Sequence, residues 1–235
     1  MTSSDRELLV KPVRIPLTRG LLGYRICIIK KGKEDIFRDI QEPQEIIDKE
    51  ITIGLGESWP DTRIVESSGI RVETVEEYSH GFKSLLEEEF DCFSRGVNEV
   101  FTELEKREQK FTDDKYIYLK YDSPIYFFVS VENDELAERI HKGLNRAINN
   151  GNFDCIFSHY FADDIARANL SKRTQIELKN YDLPNKSPLE HLHAFEKDPL
   201  PDISQKKTPE GCQKLTTALK ENRIDTSSIK LPLKY

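Results

Sequence analysis

The sequence predicts an α/β fold with a largely parallel sheet, and three observations carry that expectation. Short runs rich in β-branched residues have strand length. Between them lie stretches with an apolar stripe at helical spacing. Glycine or proline stands near most of the junctions.

The elements follow in order. Residues 24–30, YRICIIK, read as a strand, and residues 50–56, EITIGLG, as a second. Ser58 and Asp61 stand at capping-box spacing with Pro60 in the first turn, so a helix follows and ends near Gly69. IRVETV then resumes a strand. In EEYSHGFKSLLEEEF, Tyr78, Phe82, Leu85 and Leu86 share one helical face, which marks Tyr78 as a core residue. FDCFSRGV is a short strand and its exit, and NEVFTELEKREQ is a helix through Val97, Val100, Phe101 and Leu104. KYIYLKY alternates Ile117 and Leu119 with Tyr116 and Tyr118, and PIYFFVSV reads as a buried strand. The clearest helix is NDELAERIHKGLNRAINNG, with Leu136, Ile140, Leu144 and Ala147 on one stripe and Gly151 where a C-cap belongs. Phe153, Ile156, Phe157, Tyr160 and Phe161 extend a helical packing surface beyond it.

Bulk properties exclude several classes of function. The 235 residues suit one large domain or two small lobes. A net charge of -7 with interleaved signs gives no electrostatic footprint for nucleic acid or an anionic membrane. No apolar run is long enough to span a membrane, and MTSSDRELLV lacks the features of a signal peptide, so as written the chain is expected to stay in the cytoplasm. Cys27, Cys92, Cys155 and Cys212 are far apart and form no CxxC pair, so buried thiols are expected, or one disulfide if the protein is exported. From about Leu183 the chain holds six of its eleven prolines and little periodicity apart from a short helix around CQKLTTALKEN, which reads as a weakly ordered extension. The HLH at 191–193 has no third ligand at zinc spacing, so no metal is expected. No GxSxG, Walker or HExxH pattern occurs, so neither catalytic residues nor a cofactor are expected.

Four segments in succession resemble one family. SSDRELLVKPVRIPLTRGLLGYRICIIKKG resembles the segment of bacterial extracellular solute-binding protein family 3 in which an arginine precedes the strand leaving the first lobe. TIGLGESWPDTRIVESSGI is similar to the family's second-lobe strand, ligand loop and helix, YSHGFKSLLEEEFDCFSRG to its next helix and strand, and NDELAERIHKGLNRAINNGNFDCIFSHYF to its closing helices. The match runs over roughly residues 3–165. The resemblance implies a type II periplasmic-binding-protein-like fold of two lobes, with lobe 2 complete and lobe 1 partial. It divides the chain into a lobe 1 remnant and hinge (1–25), lobe 2 (26–132), helices returning to lobe 1 (133–183) and the extension (184–235).

The same resemblance implies function. Such proteins bind an amino acid or organic acid without turnover, deliver it to an ABC permease or sense it, and work in the periplasm. Arg25 falls where the family places the arginine that holds a ligand carboxylate, a role a planar guanidinium suits. Glu57 and Ser58 precede a helix whose N-terminus favours an anion, and Trp59 is placed to wall the pocket. Pro60 and Asp61 are assigned to helix initiation. Arg95 stands where amino-acid binders carry an acid, so either Glu99 replaces that acid or Arg95 selects a second anionic group. Arg19, Gly20 and Tyr24 either shape the cleft mouth or form a hinge that needs the freedom of glycine. With lobe 1 partial, its helices would lack a sheet to cover and the chain would self-associate. The alternatives are a sensor or interaction module on the same fold, and a non-functional remnant of a binding protein.

Overall fold

The computed structural model describes residues 2–184; the proline-rich extension beyond them, with HLH, Cys212 and CQKLTTALKEN, lies outside the described residues. The chain runs through α1 (Ser4–Leu9), β1 (Lys11–Val13), β2 (Tyr24–Lys30), α2 (Pro43–Asp48), β3 (Thr52–Gly56), α3 (Pro60–Ser67), β4 (Arg71–Val75), α4 (Tyr78–Leu86), β5 (Cys92–Gly96) and α5 (Val97–Glu105). It continues through β6 (Phe111–Asp113), β7 (Ile117–Lys120), β8 (Phe127–Val129), α6 (Asp134–Asn149), α7 (Asn152–Ala168) and β9 (Thr174–Glu177).

Seven strands make the main sheet, in the order β4-β3-β5-β2-β7-β9, with β6 beside β2. β2 is its spine, because YRICIIK offers apolar side chains to both faces, as a strand covered on both sides requires. Tyr24, Ile26 and Ile28 enter a core with Phe82, Phe93 and Phe101 from the α4 and α5 side. Cys27 and Ile29 enter the opposite core with Ile46, Ile53, Ile64 and Tyr121. The period of two therefore places Arg25 on the second face, in line with Cys27 and Ile29.

Four expectations are corrected. The sheet is mixed rather than largely parallel: β3 pairs in parallel with β4 and β5, and β7 with β9, but β2 runs antiparallel to β5, β6 and β7. Side-chain alternation reveals a strand but not its direction. Residues 133–183 do not all turn away from the second lobe, since β9 extends the main sheet beside β7. PIYFFVSV is not a buried strand: β8 forms a separate two-stranded sheet with β1, and Phe127 is 47% exposed. The helix after Trp59 has no side-chain cap from Ser58; Trp59 is its N-cap and Pro60 its first residue.

Of the two expectations for the cysteines, buried thiols give way to a disulfide at Cys27. Cys27 and Cys92, on neighbouring antiparallel strands, form a disulfide with Cα atoms 5.2 Å apart. The bond joins two almost wholly buried strands, so it fastens β2 to β5 behind the end of the sheet that carries Arg25 and Arg95.

Candidate functional site

β3 and β5 are parallel neighbours, so their carboxyl ends lie together, and antiparallel β2 begins at that same end. A cleft of about 420 Å³ opens there, lined by Leu22, Arg25, Ser58, Trp59, Pro60, Asp61, Tyr78, Arg95 and Glu99, with Arg6 and Glu76 at its rim. Open α/β sheets place ligands at this kind of position. Of the residues singled out in the sequence, the fold brings Arg25, Ser58, Trp59, Arg95 and Glu99 to one cleft.

Three others do not line it. Tyr24 is fully buried and stacks on Tyr118 at 6.0 Å between centroids, because its side chain points into the core one register step from Arg25. Arg19 turns away to pair with Asp154 and lies over Phe153 and Phe157, which ties the entry of β2 to α7. Glu57 is exposed, its backbone N–H donating to Val75 at 3.0 Å. Arg19, Tyr24 and Glu57 are thus not among the residues that line the cleft.

Arg25 and Arg95 sit on opposite faces of the sheet. Arg95 is opposite Ile26, and Arg25 opposite Gly96, so one register step separates them. Arg25 forms the floor, with a side chain only 2% exposed. Its Nη2 donates to the Ser94 carbonyl at 3.0 Å, and Nη1 lies 3.5 Å from Asp61 Oδ1 and 3.9 Å from Glu99. Nε has no hydrogen-bond partner. Asp61 in turn accepts a hydrogen bond from the Tyr121 hydroxyl. Burial alone would lower the arginine's pKa, but the carboxylates of Asp61 and then Glu99 outweigh it and raise it. Burial, opposed by Arg25 and reinforced by Asp61, pushes the Tyr121 phenol well above its ordinary value. Tyr121 is therefore a neutral donor and Arg25 a cation. Asp61, assigned from sequence to helix initiation alone, is thus the counter-ion of the cleft's central guanidinium.

Arg95 is held by Glu103 through paired hydrogen bonds, Nε to Oε2 at 2.9 Å and Nη2 to Oε1 at 2.8 Å, the fork geometry that makes such pairs strong. Trp59, Tyr78 and Phe93 surround it with ring centroids at 4.7, 5.1 and 5.4 Å. Trp59 can lie flat there only because Gly56 carries no side chain: a Cβ at Gly56 would come 2.4 Å from the indole. Glu99 accepts from the Gly96 N–H at 3.0 Å, closing the first turn of α5, and lies 3.3 Å from Arg95. One carboxylate therefore stands between the two guanidiniums.

Tyr78, which faces the cleft in the layout of the resembled family and reads as core from its spacing to Phe82, is half in and half out. Its ring meets Phe82 edge-on at 6.0 Å, yet it is 40% exposed at the cleft wall. Desolvation first, and the Glu103 carboxylate second, push its phenol up to about 12. A pKa above the ordinary value near 10 means that the retained proton favours the folded state fully below about pH 10. That contribution is lost as the pH rises from 10 through 12. In a spectrophotometric difference titration of wild type against Tyr78→Phe, we expect one phenol to ionise near pH 12; a difference transition near pH 10 would contradict this wall.

Sequence reasoning missed Arg6, Asp61, Glu103 and Tyr121. Among the described residues no group of three His, Cys, Asp or Glu gathers to hold a metal ion.

No protein-family model matches the chain, and no curated protein matches it. Solved structures do. An ancestral arginine-binding protein bound to glutamine matches with a TM-score of 0.51 at 18% identity, covering 68% of this chain and 67% of that one. A periplasmic His/Glu/Gln/Arg/opine family-binding protein from Silicibacter pomeroyi, in complex with lysine, matches with a TM-score of 0.52 at 7% identity, covering 69% and 67%. An ancestral amino acid-binding protein that is a precursor of cyclohexadienyl dehydratase matches with a TM-score of 0.50 at 13% identity, covering 68% and 65%. At these identities the likeness speaks for the backbone and not for the ligand. The chain has the fold of the type II periplasmic binding proteins.

Proposed function

We propose that the cleft binds one small carboxylate-bearing solute, an amino acid or related acid, without turnover, for ABC-type transport or ligand sensing. The observation that carries this reading is the convergence of Arg25, Ser58, Trp59, Arg95 and Glu99 at the carboxyl ends of β3 and β5, where α3 and α5 begin. A volume near 420 Å³ lies within the range of small-molecule sites. Trp59 and Tyr78 supply an aromatic wall, and Glu76 and Glu99 are acids available to an ammonium group. Solved proteins of this fold hold glutamine or lysine. The Cys27–Cys92 disulfide favours an oxidising compartment, so the proposal includes a periplasmic or otherwise exported location and an ABC permease as the partner for transport.

The test is a thermal-shift and calorimetric panel on the full chain, covering the common amino acids and small organic acids. A true ligand at a hundred times its Kd adds about 2.7 kcal/mol of stability. Arg95→Ala should reduce that gain by removing both charge and the packing of Trp59. A flat response across the panel would overturn the proposal.

One observation favours a second reading, an interaction or sensing module of this fold that no longer takes a solute. Both guanidiniums already face the protein's own carboxylates, Arg25 with Asp61 and Arg95 with Glu103. The flat panel just described is the result that this reading expects.

A further inference from the structure

A second cavity, of about 480 Å³, opens at the end of the main sheet opposite the cleft. α4 and α5 finish there, β2 ends there at Lys30, and the turns of residues 106–110 lead the chain back into β6. Its floor is apolar: half-buried Leu86, with Phe82 and Phe111 whose ring centroids lie 5.5 Å apart. Its rim carries four cations, Lys83, Lys106, Arg107 and Lys110, against two acids, Glu105 and Glu108, on a chain whose net charge is -7.

Cations at a helix C-terminus ordinarily answer its free carbonyls, and here other contacts already fill that task. Lys30 Nζ donates to the Leu86 carbonyl at 3.1 Å, and Arg107 Nη1 to the Glu103 carbonyl at 3.0 Å. Glu105 is drawn off to Arg167 at 2.8 Å, and Lys83 stands 3.9 Å from Glu87. Lys106 and Lys110 are exposed, and their side chains form no ion pair among the described residues. The loop that carries them is fixed: the Arg107 N–H donates to the Leu104 carbonyl at 2.7 Å, and the Lys110 and Phe111 N–H groups to the Arg107 carbonyl at 3.0 and 3.2 Å. The Arg107 guanidinium lies over the Phe82 ring, 3.9 Å from its centroid. That contact holds the group in place and leaves its Nε–Nη2 edge without an acceptor among the described residues.

We propose that this cavity is a second binding site, for a small aromatic carboxylate. The Nε–Nη2 fork of Arg107 grips the carboxylate through two parallel hydrogen bonds, while Lys106 and Lys110 add charge at the rim. The ligand's ring lies against Leu86, Phe82 and Phe111. The volume is in the range of small-molecule sites. No residue is shared with the cleft, so this site stands or falls apart from the solute proposed there.

Amide-resolved NMR titration of the full chain with 2-naphthoate tests this. The expected result is saturable shifts at the amides of Leu86 and residues 107–111, with affinity about tenfold above that for neutral 2-naphthamide or for acetate. Arg107→Lys keeps the charge, loses the fork and should weaken binding about tenfold. Lys106→Gln/Lys110→Gln, two changes at exposed positions, should weaken it about threefold with Tm unchanged. No saturable shift, or shifts confined to Ser58 and Gly96 in the cleft, would overturn the second site. Equal affinity for 2-naphthamide would overturn the anionic ligand, and equal affinity for acetate the aromatic one. Full affinity in both variants would overturn the role given to these cations.

Discussion

Replacing Arg25 with methionine is expected to destabilise the folded chain by about 3–5 kcal/mol in urea unfolding, the cost of removing one partner of a buried ion pair. The arginine is 2% exposed and lies 3.5 Å from Asp61, itself 6% exposed at its side chain. Methionine fills much of the volume but leaves Asp61 as a buried anion with only the Tyr121 hydroxyl to face it. The loss should therefore come from charge rather than from packing. A double-mutant cycle separates the two: Arg25→Met with Asp61→Leu should recover a large part of the stability, because a buried pair can give way to apolar residues at little net cost. If the double variant is no more stable than Arg25→Met, the ion pair is not the cause.

Loss of the Cys27–Cys92 disulfide is the second large effect. The bond closes a loop across a sequence separation of 65, which corresponds to about 4 kcal/mol at 25 °C if the stabilisation is mainly chain entropy. Cys27→Ala/Cys92→Ala should lower Tm by roughly 8–16 °C for a chain of this size. The same variant should unfold with no added sensitivity to reductant beyond that of the other cysteines, whereas wild type should lose stability on reduction. A Tm within about 2 °C of wild type would show that β2 and β5 are held by packing alone.

The main strands and longer helices were legible because they carry local signals. YRICIIK and EITIGLG announce β2 and β3 through β-branched runs, and Leu136, Ile140 and Leu144 announce α6 through period. Shorter elements gave no such signal. PQEIID is under two turns of helix, KPV is three residues with a proline, and TQIE of β9 is mostly polar because it forms the edge of the sheet. Strand direction was not legible at all, since the face alternation of β2 is the same in either orientation.

The candidate site shows the same division. Residue type and neighbourhood singled out Arg25, Ser58, Trp59, Arg95 and Glu99. Their partners are fixed by three-dimensional pairing: Asp61 and Tyr121 are 60 residues apart, and Glu103 reaches Arg95 from the second turn of α5. A carboxylate beside Pro60 at the start of a helix reads as an ordinary first-turn acid until the sheet brings Arg25 beneath it. Proximity to Arg25 in sequence did not bring Arg19 and Tyr24 to the cleft lining, because Tyr24 points into the core and Arg19 pairs with Asp154.

The proposed function makes Arg25 a carboxylate grip, and the carboxylate it faces in the structure is that of Asp61, 3.5 Å away. Asp61→Asn keeps the shape and removes the charge, leaving Arg25 with Glu99 alone at 3.9 Å. The decisive measurement is the Tm of wild type and Asp61→Asn in acetate and in chloride at matched ionic strength. The account predicts that the variant is destabilised in chloride and regains much of its Tm in acetate, while wild type responds little. Equal responses of the two proteins to acetate would contradict it.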